Sequence, residues 1–210
     1  DIIDHHFSGN INTNVLNMLN TKYIIVPTQQ GPQVQTNPAA LGNAWFVNEI
    51  KWVNSPDEEI AALKDFNPAQ TAFIDKEWQE TLKGWESLQN EKDSTASIRL
   101  TDYANPGNLF YESNSSQPHL AVFSEVFYKT WSAYIDGREV PLIQVDYILR
   151  GLNVPAGNHK IEFKCIDDTY LRGAKISKTT SIIVGIIILA LFGFAIWETI
   201  KRKPVNERLS

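Results

Sequence analysis

The chain has 210 residues, 43% of them hydrophobic, a formal net charge of −5 and one cysteine. An acidic balance with no basic face excludes nucleic acid as a partner, and one cysteine excludes an internal disulfide framework. The length suffices for a folded core without staples.

In chain order, Ile11, Val15, Leu16 and Leu19 fall at helical spacing behind Asn12 and Thr13, two N-cap types, and predict a short helix over residues 10–20. Residues 22–26, KYIIV, stop at Pro27 and predict a buried strand; residues 29–38 are rich in Gly, Pro, Asn and Gln and predict an exposed loop. Residues 43–53, with Trp45, Val47 and Trp52, read as strand. Ser55-Pro56-Asp57-Glu58 then supplies an N-cap, a proline at the first helical position and carboxylates at the positive end of the dipole, predicting a helix to about Asp65. A strand is expected over 69–74, and Trp78, Leu82 and Trp85 form a helical stripe interrupted by Gly84. Residues 1–92 are expected to form a mixed α/β layer.

From residue 93 the pattern changes to short strands, over 94–103, 108–113, 120–127, 131–135, 139–143, 147–152 and 159–165. Asp136-Gly137 supplies the residues that a tight hairpin turn needs at positive φ. Residues 93–168 are expected to form an antiparallel β-sandwich. The fold class predicted is α+β: a mixed layer, a sandwich and one C-terminal transmembrane helix.

That helix rests on residues 181–197, SIIVGIIILALFGFAIW. No charge lies between Lys178 and Glu198, and the enclosed stretch would rise about 28 Å as a helix, close to the thickness of a bilayer's hydrocarbon core. Asp167, Asp168 and Thr169 are read as a cap, residues 169–203 as juxtamembrane and membrane helix, and 204–210 as a tail. Arg172, Lys175, Lys178, Trp197, Lys201, Arg202 and Lys203 are the expected interface anchors, and the KRK cluster places the tail in the cytoplasm with residues 1–178 outside. The chain starts at Asp1 without a Met or an apolar leader, which predicts a cleaved signal or a piece of a longer protein.

Catalytic signatures are missing from the sequence: it has no nucleophile elbow, triad pattern or Gly-rich phosphate loop. His5-His6 beside Asp1 and Asp4 lacks a second cluster at ligand spacing, and Asp57-Glu58-Glu59 is accounted for by helix-end charge, so no metal, cofactor or catalytic residue is predicted. Trp131, Tyr134, Tyr128 and Tyr111 are glycan-contact candidates, since sugar C–H faces stack on rings, although strand alternation sends about half of such side chains into the core.

Several phrases are specific: NVLNMLNTKYII at 14–25, GNAWFV at 42–47, and LAVFSEVFYKTWSAYIDGREVPL with YILRGLNVPAGNHKIEF across 120–163. Together they resemble the C-terminal part of YfhO-type bacterial membrane proteins. One departure is Lys129-Thr130, where that family often has Pro-Gly. The resemblance implies a polytopic protein similar to GT-C glycosyltransferases, which use a polyprenyl-phosphate sugar and keep their catalytic acids in an early extracytoplasmic loop that has no counterpart here. The chain is then expected to be the extracytoplasmic C-terminal domain and last span, at the bacterial cytoplasmic membrane, with a non-catalytic role in positioning an acceptor. Its expected partners are the bilayer, the upstream helices, and a lipid-linked sugar or envelope glycan. The alternative is a single-pass anchored, carbohydrate-binding sandwich.

Overall fold

The computed structural model describes residues 11–83, 93–105, 107–165 and 168–201, in two compact units, Asp1–Ile166 and Asp167–Ser210. The expected features at His5-His6, Trp85, Asp167, Arg202 and Lys203 lie outside the described residues. The α+β class with a C-terminal apolar helix is what the fold shows.

Helix α1, Thr13–Met18, starts where the sequence places it. Asn12 Oδ1 accepts the amides of Asn14 and Val15, while its Nδ2 donates to the Leu63 carbonyl at 2.9 Å and ties the helix to the body. Strands β1 (Tyr23–Thr28) and β2 (Gly31–Thr36) follow as an antiparallel hairpin paired only with each other. This corrects two expectations. The KYIIV strand is exposed at Tyr23 and Ile25 and only half-buried at Ile24 and Val26, and the expected loop at 29–38 contains its partner strand, because Gly31 at φ +104° closes a turn that lets glutamine-rich residues pair.

Strands β3 (Ala44–Val47) and β4 (Glu49–Val53) lead to helix α2 (Pro56–Ala62), a 3-10 turn at Leu63–Asp65 and strand β5 (Thr71–Asp75). Ser55 Oγ accepts the Glu58 amide, and Glu58 Oε2 reaches back to accept the amide of Asn54, one residue before the cap, a variant of the capping box. β4 and β5 pair in parallel, with α2 as the crossover. The helix expected around Trp78 and Leu82 is, among the described residues, a 3-10 turn at Lys76–Trp78 followed by turns.

Eight further strands complete the unit: β6 (Ser97–Asn105), β7 (Asn108–Ser115), β8 (His119–Val126), β9 (Trp131–Ile135), β10 (Arg138–Val140), β11 (Ile143–Val145), β12 (Leu149–Val154) and β13 (Gly157–Cys165). With β3 they form two sheets, ordered β10-β9-β13-β7-β6 and β11-β12-β8-β3. The Asp136-Gly137 turn has φ +51° and +80°, as a tight hairpin requires.

The four-stranded sheet is the middle layer. One face meets the five-stranded sheet through Phe123, Leu152, Tyr111, Ile161 and Phe163, and the other carries Leu120, Val122, Val145 and Leu149 against Met18, Ile60, Leu63 and Ile74. Because β3 pairs with β8, the residue-92 boundary does not separate two packing units: a strand from the N-terminal layer is part of the sandwich.

Helix α3, Asp168–Lys201, contains a 30-residue segment, Arg172–Lys201, long and apolar enough to cross a membrane, whose most apolar 18 residues have a mean hydropathy of 2.5 and are not buried. Its hydroxyls bond back along the helix, Thr180 to the Ile176 carbonyl, Ser181 to Ser177 and Thr199 to Ala195, which satisfies them without water. Arg172, Lys175 and Lys178 are exposed on its first turns, and Lys201 Nζ lies 4.0 Å from the ring centre of Trp197 at the other end.

Gly151 sits where β12 meets β11, and a Cβ there would lie 2.5 Å from Val145 Cγ1 and 2.9 Å from Ile143 Cγ1. Both neighbours are core residues with little room to move. Gly151→Ala is expected to cost about 1–3 kcal/mol of stability, read as a lower urea midpoint at unchanged slope.

Candidate functional site

The best-formed cavity among the described residues, about 610 Å³, opens where the β9–β10 hairpin, the ends of β12 and β13, and residues 81–83 converge. Its size suits a small ligand. Leu82, Ile135, Val140, Pro141 and Pro155 give it apolar walls, and Lys83, Arg138, Asp136, His159 and Asn153 give it polar ones. Asn153 Oδ1 is a buried acceptor without a hydrogen-bond partner, so one polar position is open to a donor.

His159 is held at both ring nitrogens. Nδ1 lies 2.7 Å from Asp136 Oδ2 and Nε2 lies 3.1 Å from the Ala156 carbonyl oxygen, and these two acceptors favour the doubly protonated ring. The Asp136 hydrogen bond raises the histidine above its ordinary value and lowers the aspartate. Among the described lining residues both ring nitrogens of His159 are engaged and Asp136 is the one carboxylate, so these residues do not make the acid–base pair of glycoside hydrolysis. Lys83 and Arg138 outnumber Asp136, which is itself paired with His159, so the lining favours an anionic group such as a phosphate or carboxylate.

Two other polar clusters were hidden in the sequence. Asp93 accepts the Ser116 amide at 2.9 Å and its hydroxyl at 2.6 Å, and buried His119 stands 4.0 Å from the same carboxylate oxygen. The carboxylate bonds the serine directly, while His119 has no hydrogen bond at either nitrogen and is kept neutral by burial, so this is not a nucleophile–base pair.

The second cluster splits the Asp57-Glu58-Glu59 run. Glu58 is the capping residue, but Glu59 is only 2% exposed, and burial with nearby Asp75 and Glu77 pushes its carboxyl up to about 7. Asp146, fully buried in the β11–β12 loop, accepts the Phe73 amide at 2.8 Å and is likewise raised, by burial and by Glu59. That loop holds Asp146 and Tyr147 at φ +49° and +70°, with the Gln144 side chain donating to the Tyr147 carbonyl.

The four aromatic candidates do not come together. Tyr111 is 1% exposed in the core, its hydroxyl donating to Glu125 at 2.6 Å, so it cannot meet a glycan. Trp131 faces inward under Arg150, whose guanidinium lies 3.9 Å from its ring centre, and Tyr134, three residues on, points to the opposite face beside Lys164. Tyr128 is exposed in the β8–β9 connection.

An α+β domain with a ligand-sized cavity, in a chain that also carries one helix long and apolar enough to cross a membrane, is the class that fold and site define. No protein-family model, curated protein or solved structure matches the chain.

The Glu59 carboxyl binds a proton in the folded state up to about pH 7, against 4.5 ordinarily. Its contribution to stability is full below pH 4.5 and is lost as pH rises through 7, by about 3 kcal/mol at most. The unit is expected to melt higher at pH 5 than at pH 8, and Glu59→Gln to flatten that dependence, as followed by circular dichroism.

Proposed function

We propose that the chain is the extracytoplasmic C-terminal domain and last span of a GT-C-like protein of the bacterial cell envelope, working in glycan or lipid glycosylation. Its role is to hold an acceptor or a lipid-linked sugar, with the chemistry done elsewhere. The observation that carries this reading is a cavity equipped for binding and not for acid–base chemistry, in a chain that also has a membrane-length apolar helix. The resemblance of residues 120–163 to YfhO-type proteins supports the glycosylation context. The KRK cluster at 201–203 in the sequence supports a cytoplasmic tail at the inner membrane.

In the cavity Arg138 and Lys83 meet the anionic group, Asn153 Oδ1 accepts a sugar hydroxyl, and the proline and aliphatic walls cover the ring's C–H face. Calorimetry on the full chain in nanodiscs, with a polyprenyl-phosphate sugar and with envelope oligosaccharides as titrants, tests this. Binding that weakens at least tenfold in Arg138→Ala is expected. No binding of either titrant, or glycosyl transfer by this chain alone, would overturn it. Spans encoded ahead of Asp1 separate this reading from a single-pass anchored glycan binder, which would have only a signal there.

A further inference from the structure

The β1–β2 hairpin leaves one row of apolar side chains in water, while Ile24 and Val26 on its other face are half-buried. Tyr23 is 67% exposed, Ile25 69% and Val34 66%. The register places them together: Tyr23 is opposite Thr36, Ile25 opposite Val34, and Pro27 opposite Pro32, all on one face of the two-stranded ribbon. A lone two-stranded ribbon is at best marginally stable in water, so this one gains from a surface that covers it. At its base the Asn37 side chain donates to Asn17 Oδ1 at 2.9 Å and to the Thr21 carbonyl at 3.0 Å, which fixes the ribbon to α1.

Charge says what the cover is. From Tyr23 through Asn48 there is no Asp, Glu, Lys or Arg, in a chain that is 20% charged overall. A soluble protein partner is ordinarily met with a charged rim that sets register and excludes wrong partners, and exposed edge strands are commonly guarded by lysine. A face of tyrosine, isoleucine, valine and proline without a charge, backed on the other face by half-buried Ile24 and Val26 with Gln33 and Gln35, suits the headgroup–acyl boundary of a bilayer, where tyrosine is favoured and apolar side chains are covered. The bilayer is also at hand. The membrane-length helix belongs to the same chain, so the hairpin meets lipid at the high effective concentration of a tethered group and needs little affinity of its own.

We propose that the β1–β2 hairpin is a second membrane contact, laying Tyr23, Ile25 and Val34 into the lipid interface. The proposal depends on anchoring by α3 and is independent of what the cavity binds. Its test uses the full chain with Cys165→Ser and Ile25→Cys, carrying an environment-sensitive fluorophore at position 25, in nanodiscs of phosphatidylethanolamine and phosphatidylglycerol. A control probe replaces Glu139, in the β9–β10 hairpin. Blue-shifted emission and at least twofold quenching by nitroxide lipids are expected at position 25 and not at 139, with the quenching lost on adding Val34→Glu. Emission as water-exposed as that of the control would overturn the proposal. So would a blue shift that lipid nitroxides leave untouched and that grows with protein concentration, because it would mean that a second copy covers the face. Flotation of the same nanodiscs reports anchoring by α3 separately.

Discussion

Burial of the middle sheet on both faces is the constraint from which the rest of the domain follows. Strands β8 and β12 have neighbours on either side in the sheet and apolar layers above and below, so nearly every side chain they carry is inside. Leu120 and Val122 look toward α1, α2 and β5, whereas Phe123 and Leu152 look toward the five-stranded sheet, and the two hydrophobic clusters are therefore opposite sides of one layer. Gly151 lets β11 close onto this sheet, and the β11–β12 loop brings Asp146 to Phe73 of β5. The functional features sit at its margins: the cavity draws on the end of β12, and Asp93 and His119 meet at the start of β8.

Much of this was legible in local sequence because local rules decide it. The continuous apolar run at 120–123 is what a doubly buried strand requires, Asp136-Gly137 is what a primed turn requires, and Ser55-Pro56 with Glu58 is what a helix start requires. Residues 181–197 announce a membrane-length helix by composition alone. Strand β2 was not legible, because glutamine, proline and glycine suppress strand propensity and its pairing comes from the turn at Gly31.

The polar sites were hidden for a different reason. Glu59 occupies the first turn of a helix, where a carboxylate is normally solvated, and its burial depends on a loop almost ninety residues away. The cavity gathers residues from four separate stretches, and no spacing in the sequence foretells it. The aromatic candidates failed as a surface by a rule that was readable: Trp131 and Tyr134 are three apart on a strand and must face opposite ways. Composition marks an aromatic cluster, but only the sheet decides which rings remain for a ligand.

Joining the N-terminal layer and the sandwich through one sheet makes residues 11–165 a single cooperative body, with the apolar helix as a separate compact unit. Hydrogen exchange followed by mass spectrometry on the full chain in nanodiscs tests that most directly. Peptides covering β8 and β12 are expected to exchange most slowly, with β3, β5 and β13 opening in the same cooperative event. Opening of β3, β4 and β5 well before the sandwich, with β8 still fully protected, would contradict it and mean two domains that only touch.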